Sequence, residues 1–353
     1  MERRTFLKIL SSAGIVSLVS PTFAMGVCKN KVSKSSSALL ESAFLNPPFS
    51  SGVYTWWHWM NGNITKDGIT RDLEAMKANG IAGYQLFEAG SGIPIGPVES
   101  LSDEWVDLIL HTLKESERLG LEFAMHNCPG WSSSGGPWIT PDKAMQIITW
   151  SETKVTGGKQ VRIQLPTPKH MFDYYIDTYC LAIPANMKVI PRLSILELSN
   201  RLDKGGVLTW DVPAGEWLIM RFGQTAKDQK NKSAPSKSTG LDCDKFSTEA
   251  LDYHLNCMFK RLMPAMEKIA KHSKIGLLID SYETGDQDWT SDMPAYFEQN
   301  HGYALYPFLP VLANKIIESE ESTKRFKYDF RRTRADMFAE RYYGHFQKRC
   351  KEK

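Results

Sequence analysis

Residues 54–87 read YTWWHWMNGNITKDGITRDLEAMKANGIAGYQLF and hold a strand, a helix and a second strand in close succession. Tyr54–Trp59 and Ile81–Phe87 are aromatic or aliphatic runs of strand length. Between them, Thr65 can cap a helix whose apolar residues recur every three to four positions and which Gly80 can end. Short links between such units indicate parallel strands in an α/β fold.

The same alternation continues to residue 125. Ser102 can cap a helix with Asp103 and Glu104 in its first turn, and Gly120 can end that helix. Leu121–Met125 then reads as a third strand. The sequence therefore predicts at least three parallel strands with helices between them.

The pattern changes in residues 151–238, where short alternating stretches are broken by proline and glycine. Helical periodicity is nearly absent there, which predicts a small inserted β-rich domain. A long helix resumes at Ser247, with Pro264 expected to kink or split it, and Ile275–Ile279 reads as a buried strand. A further helix is expected over about 323–350.

These elements predict an α/β fold, namely a (β/α)8 TIM-type barrel that is incomplete at the C-terminus and carries the inserted domain. Only four or five barrel strands can be counted, whereas a complete barrel has eight strands and about 250 residues. An open doubly wound sheet is the alternative. The expected organisation is a signal peptide at 1–24, a linker at 25–50, the first part of the barrel at 51–150, the β-rich insertion at 151–238 and the continuation of the barrel at 239–353.

The first 24 residues predict export. Arg3, Arg4 and Lys8 precede an apolar run over 9–19, and small residues lead to a cleavage point after Ala24. Adjacent arginines followed by Phe-Leu-Lys are typical of a twin-arginine signal, so we expect a periplasmic or cell-surface protein. A short membrane anchor is the alternative, but the apolar run is shorter than the roughly 18–20 residues that span a bilayer.

Composition argues against two kinds of partner. The net charge is +3, and the predicted signal peptide contributes +2 of it because it holds three cations and one anion, which leaves about +1. A nearly neutral body without a basic run argues against nucleic-acid binding. No other segment is long and apolar enough to span a membrane, so no span is expected in the mature form.

Polar side chains follow each predicted strand. In parallel α/β folds the active site lies at the carboxyl ends of the strands, so these side chains are expected to converge. Each of them, taken alone, could equally be an ordinary core or loop residue. They are His58, Asn61 and Asn63 after the first strand, Glu88 after the second, His126 and Asn127 after the third, and Asp280, Tyr282, Glu283, Asp286 and Asp288 after the late strand.

Glu283 is the strongest single candidate for a catalytic residue. A carboxylic acid at a strand end among aromatic rings, here Tyr282 and Trp289, can have a raised pKa and serve as a general acid. Cleavage of a glycosidic bond needs such an acid together with a second carboxylate. The alternative is a solvated loop residue or an ion-pair partner.

Two metal sites are conceivable from the residue types. The acidic run could hold a hard cation such as Ca²⁺, with Asp286 and Asp288 as candidate ligands, although it lacks the spacing of an EF-hand. His58 and His126 could bind zinc in a metal-dependent hydrolase of another substrate. No His-Glu-x-x-His or His-x-His spacing supports that alternative.

Residues 130–138, GWSSSGGPW, form a loop by composition. The loop lacks the Gly-Lys-Ser/Thr ending of a phosphate-binding loop, and no Gly-x-Ser-x-Gly motif for an acyl-transfer nucleophile is present. Trp131 and Trp138, held by glycines, could form a platform for a sugar or could pack as core.

Several blocks, taken together and in this order, resemble glycoside hydrolase family 106, the α-L-rhamnosidases. The resemblance runs from about residue 45 to the end. The blocks are Thr55–Thr65, Met125–Asn127, Pro129–Ser132, Gly135–Trp138, Gly240–Lys245 and Asp280–Glu283.

The resemblance implies an exported, exo-acting α-L-rhamnosidase that releases terminal rhamnose from plant polysaccharides such as pectins. It further implies an inverting two-carboxylate mechanism, an active-site calcium and a general-acid role for Glu283. By the same resemblance the sugar pocket is lined by His58, Asn61, Asn63, His126, Asn127 and Trp131. Trp59, Glu88, Asp280 and Tyr282, which adjoin these residues in the strand-end blocks, complete the set of candidate substrate-binding residues.

Two departures from the family pattern affect these expectations. Family members are much longer, and their second catalytic carboxylate lies downstream of the acid, beyond Lys353 in this numbering. Cys128 stands where the family commonly has glycine, which would narrow the pocket. The alternative hypothesis is therefore a catalytically inactive product of a truncated or split gene that at most binds sugar.

Overall fold

The structure is a computed structural model that describes residues 34–132, 134–279 and 281–352. The predicted signal peptide and Asp280 lie outside the described residues. The chain divides into two compact units between Gly52 and Val53. In the first unit, Lys34–Leu45 form a helix, α1, within the region that composition predicted as a linker.

The second unit contains the remaining regular elements. In chain order its α-helices are α2 (Lys66–Ala78), α3 (Asp103–Leu119), α4 (Thr248–Phe259), α5 (Met263–Ile269), α6 (Met293–His301), α7 (Glu320–Met337) and α8 (His345–Lys351). Its strands are β1 (Val53–Met60), β2 (Ile81–Ala89), β3 (Glu122–His126), β4 (Gln146–Thr156), β5 (Lys159–Gln164), β6 (Ile176–Pro184), β7 (Val189–Ile190), β8 (Leu196–Glu197), β9 (Val207–Val212), β10 (Glu216–Ala226), β11 (Ile275–Leu278) and β12 (Ile316–Ile317).

A four-stranded parallel sheet in the order β1-β2-β3-β11 organises the first part of this unit. One of its faces packs against helices, where Tyr84 of β2 meets the fully buried Leu73 of α2 and Ile109 of α3. The predicted mixed α/β class with a parallel sheet is confirmed. Among the described residues β1 and β11 are the edges of this sheet, so closure into a TIM-type barrel remains a prediction.

Both helices between the parallel strands begin at the predicted caps. The Thr65 hydroxyl accepts a hydrogen bond from the Gly68 N–H at 3.1 Å, and the Ser102 hydroxyl accepts one from the Trp105 N–H at 3.1 Å. Gly120 ends α3 with φ of 65°, in the left-handed region that glycine tolerates best. Local hydrogen-bonding chemistry therefore sets the bounds of these elements.

The predicted β-rich segment forms an antiparallel sheet in the order β4-β10-β6-β8, with β5 and β9 paired separately. This sheet begins at Gln146, ahead of the predicted boundary, because β4 pairs with β10 along its whole length. Its buried face shares one hydrophobic core with helices far downstream, where Phe222 clusters with Phe297 of α6 and Phe326 of α7. The sheet is thus not a self-contained insertion.

The C-terminal part differs from its prediction in detail. The long helix after Ser247 is split into α4 and α5, with Pro264 in the first turn of α5, as expected. The helix predicted over about 323–350 consists of α7, a π-helical segment over Phe338–Gly344, and α8. None of the described helices combines the length and the apolar character needed to cross a membrane.

Candidate active site

The parallel register brings the predicted strand ends together. Trp59 pairs with Glu88 across β1 and β2, and His126 pairs with Leu278 across β3 and β11. Residues after β11 therefore leave the sheet at the same edge as His58, Glu88 and His126. The carboxyl ends of all four strands therefore lie at one edge of the sheet.

A row of stacked rings crosses this edge. His58 stacks on Phe87 at 5.4 Å between ring centroids, and Phe87 stacks on His126 at 4.9 Å. Trp56 contacts both His58 and Phe87, and 57% of its surface is exposed. An exposed indole beside the half-buried His58 ring suits the apolar face and hydroxyl rim of a sugar, whereas Phe87 and the predicted pocket residue His126 are buried behind them. The sequence prediction left Trp56 out, although its position two residues before His58 places it on the same face of β1.

Glu88 occupies a closed environment behind this row. Its Oε2 accepts a hydrogen bond from the Ser100 hydroxyl at 2.7 Å, and it lines a small cavity with Trp59, Trp105 and His126. Burial raises the pKa of Glu88 to about 7, against the opposing effect of hydrogen bonding. Glu88 is therefore part of the buried packing behind the strand ends. Trp59 is only 2% exposed and lies in the core rather than on an open surface.

Asn61 and Asn63 use their side chains to hold a neighbouring loop. The Asn61 Nδ2 donates to the Ile93 carbonyl at 2.7 Å, and the residue has a left-handed φ of 50°. The Asn63 Nδ2 donates to the carbonyls of Met60 and Pro94, both at 2.8 Å. These contacts give both residues a structural role that the sequence prediction did not include.

Asn127 and Trp131 lie on either side of the bend after β3. Asn127 is fully buried, and its backbone N–H donates to the Leu278 carbonyl at 3.0 Å. Trp131 is half-buried, and its backbone N–H donates to the Lys232 carbonyl at 3.1 Å. The loop of residues 130–138 is therefore anchored at the carboxyl edge of the sheet, where the prediction placed it.

Glu283 is exposed, and its Oε1 accepts a hydrogen bond from the Ser281 hydroxyl at 3.0 Å. The burial among aromatic rings that the sequence predicted is not found. Trp289 is buried in the core beneath the antiparallel sheet, and Tyr282 packs edge-on against Phe338 at 5.0 Å. Glu283 therefore faces solvent beside the sheet edge rather than an enclosed aromatic pocket.

Asp286 and Asp288 do not fit a calcium site. The Asp286 carboxylate lies 3.6 Å from the Arg334 guanidinium, and its carbonyl accepts a hydrogen bond from the Lys227 ammonium at 2.6 Å. The positive charges of Arg334 and Lys227 beside this candidate ligand would repel a bound calcium ion. The Asp288 Oδ1 accepts from the Ile148 N–H at 2.9 Å, and burial raises the pKa of this carboxyl, which disfavours its charged form. In the described part of the chain no three His, Cys, Asp or Glu side chains are grouped to hold a metal ion.

Comparisons with known proteins bear on the identity of this site. A family model described as alpha-L-rhamnosidase, that of glycoside hydrolase family 106, matches residues 45–179 and 169–353. The chain belongs to glycoside hydrolase family 106. Its resemblance to that family, inferred from the motifs, is thereby confirmed.

The chain is similar to a protein of known sequence and to a solved structure. It is 42% identical over 342 residues to a protein of Formosa agariphila named putative beta-glucuronidase, an alignment that covers 88% of this chain and 29% of that protein. The structure of a rhamnosidase from Novosphingobium sp. PP1Y matches with a TM-score of 0.79 and 24% identity, over 87% of this chain and 45% of the other. At that identity the structural match shows a shared fold. The family 106 chain spans less than half the length of either protein.

One buried cluster in this family 106 chain was not predicted. Asp242 and Lys245 are completely buried and form an ion pair at 2.6 Å. The Ser134 hydroxyl also donates to Asp242, and the Lys245 ammonium lies 5.4 Å from the ring centroid of Tyr282 and 5.6 Å from that of Tyr342. The Gly240–Lys245 block marked this region as distinctive, but charged residues are rarely buried, so its position in the core could not be inferred from residue type.

Proposed function

We propose that this chain supplies the sugar-binding edge and the general acid of an exo-acting α-L-rhamnosidase that releases terminal rhamnose from plant polysaccharides such as pectins. The observation that carries the proposal is the exposed Trp56 indole beside the half-buried His58 ring, on the side of β1 that leads to the carboxyl edge of the parallel sheet, with the buried rings of Phe87 and His126 stacked behind them. This is the edge at which α/β enzymes bind their substrates. Membership of family 106 supports a carbohydrate as the substrate.

The proposed chemistry is an inverting hydrolysis with two carboxyl groups. Glu283 would donate its proton to the departing glycosidic oxygen, and a second carboxylate would remove a proton from water on the opposite face of the sugar. An exposed carboxyl beside the sheet edge is accessible to a substrate at the end of a polysaccharide chain. The proposed export of the protein, based on residues 1–24, would bring it to such substrates.

A test compares hydrolysis of methyl α-L-rhamnopyranoside, whose leaving oxygen must be protonated, by the purified chain, by Glu283→Gln and by the control Glu298→Gln. Glu298 is an exposed glutamate on α6, away from the sheet edge. Because the second carboxylate is expected beyond Lys353, we expect slow turnover by the wild type and the control, and a further loss of about 10²–10⁴-fold in Glu283→Gln. Proton NMR of the first product should show the β anomer of rhamnose. Equal turnover by Glu283→Gln would contradict the proposed acid.

The second candidate function is that of a β-glucuronidase. The name of the Formosa agariphila relative suggests it, and Lys227 and Arg334 beside Asp286 could attract the carboxylate of a glucuronide. Hydrolysis of 4-nitrophenyl β-D-glucuronide without hydrolysis of the rhamnoside would favour this candidate. Rhamnose binding without any turnover would favour the alternative in which the chain is a sugar-binding, catalytically inactive protein.

A further inference from the structure

His254 lies on α4, fully buried, beneath the bend that follows β3. Its Nε2 is 2.9 Å from the Asn127 carbonyl oxygen and 3.1 Å from the Asn127 Oδ1. On the other side of the ring, the Trp138 indole N–H donates to Nδ1 at 3.2 Å. His254 therefore bridges the strand-end residue Asn127 and the loop of residues 130–138.

These partners determine the tautomer of the imidazole. A carbonyl oxygen can only accept, so Nε2 must carry the proton, and an indole N–H can only donate, so Nδ1 must be unprotonated. Burial lowers the pKa of His254 to about 3, which keeps the ring neutral. A leucine at this position would leave the Asn127 oxygens and the Trp138 indole without these buried hydrogen bonds, which is costly.

Asn127 extends the contact to the next strand. Its backbone N–H and its side-chain Nδ2 both donate to the Leu278 carbonyl, at 3.0 and 3.1 Å. Leu278 is the last residue of β11, and the segment that contains Tyr282 and Glu283 begins just after it. A continuous set of hydrogen bonds thus joins α4, the end of β3 and the end of β11.

We propose that His254 is a positioning residue for the strand-end site. By holding Asn127 it fixes the ends of β3 and β11 relative to each other, and with them the direction in which the Tyr282–Glu283 segment leaves the sheet. The importance of this direction for hydrolysis rests on the proposed function, whereas the positioning itself does not.

The test uses three variants. His254→Gln keeps one acceptor for Trp138 and one donor for Asn127, whereas His254→Leu keeps neither. The control Leu113→Ala removes a fully buried side chain from α3 in the same core and disturbs none of these hydrogen bonds. Amide hydrogen exchange is measured at Asn127 and at residues 281–285, and ¹⁵N NMR of wild type reports the tautomer.

We expect the Nε2–H tautomer of His254 in the wild type. In His254→Leu we expect amide exchange at Asn127 and 281–285 to be about tenfold faster than in the wild type, beyond any increase that the loss of global stability causes. His254→Gln should stay within about threefold of wild type, and Leu113→Ala should show no local excess. If His254→Leu does not fold, His254→Asn, whose shorter amide cannot reach both partners, replaces it under the same criteria.

An Nδ1–H tautomer, or exchange at Asn127 and 281–285 that follows global stability in every variant, would overturn the positioning role. Rhamnoside affinity and turnover are measured on the same samples. If the exchange pattern is found but the wild type neither binds nor cleaves rhamnosides, the proposed function fails and the positioning role stands. If His254→Leu keeps full turnover despite loosened exchange, the role of this position in the reaction is refuted.

Discussion

At the scale of single residues, two glutamates at the same sheet edge have opposite environments. Glu283 is exposed, whereas Glu88 is 6% exposed and has its pKa raised to about 7 by burial. Because folded Glu88 holds its proton more tightly than the unfolded chain, the free energy of unfolding falls as pH rises from about 4.5 to about 7. Above that range this contribution is constant.

Replacing Glu88 by glutamine removes this titration. The difference in free energy of unfolding between Glu88→Gln and wild type should therefore shift in favour of the variant by about 2–3 kcal/mol as the pH rises from about 5 to about 8. The size follows because one pKa unit corresponds to about 1.4 kcal/mol. Urea unfolding at a series of pH values measures the difference. The matched control is Glu99→Gln, which makes the same substitution at an exposed glutamate. A pH-independent difference for Glu88→Gln would show that Glu88 does not titrate as inferred.

At the scale of elements, the parallel part of the fold depends on local signals that can be read in the sequence. The Ser102 cap of α3 is the clearest of them. Ser102→Ala should lower the free energy of unfolding by about 1 kcal/mol, and Ser102→Asp should restore most of it, because aspartate also caps helices and favours the positive helix end. Chemical denaturation measures both variants. A loss in Ser102→Asp as large as that in Ser102→Ala would refute the capping explanation.

The packing that the sequence failed to predict depends on contacts between segments far apart in the chain. The sheet of β4, β6, β8 and β10 shares its core with α6 and α7, a partnership that periodicity within 151–238 cannot indicate. Likewise, Trp289 resembles a site residue by its position after β11, yet it is buried in that shared core. The strand-end convergence was predictable because parallel strands impose it, whereas the burial of each side chain was not.

At the scale of the whole molecule, the Asp242–Lys245 pair joins segments that are far apart in sequence, since it contacts Ser134, Tyr282 and Tyr342. Lys245→Met would leave Asp242 charged and unpaired in the core. We expect a loss of about 3–5 kcal/mol in the free energy of unfolding.

The double variant Asp242→Leu with Lys245→Met removes both charges and should recover much of that loss. Burying an apolar pair of similar volume carries no cost for removing charges from water. Thermal and urea unfolding of the single and double variants provide the comparison. If the double variant is no more stable than Lys245→Met, the unpaired charge is not the cause of the loss.

The proposed function requires that a rhamnose unit binds at the carboxyl edge of the parallel sheet. The described part of the chain also has an apolar groove of about 610 Å³ beside β11, lined by residues such as Phe259, Met263 and Leu277. This groove offers a second location for a small molecule. NMR titration with L-rhamnose distinguishes the two. We expect saturable shifts of the Trp56 indole and the His58 ring with L-rhamnose, and weaker changes with D-glucuronate. Shifts confined to residues of the groove, or none at saturating rhamnose, would contradict the proposed function.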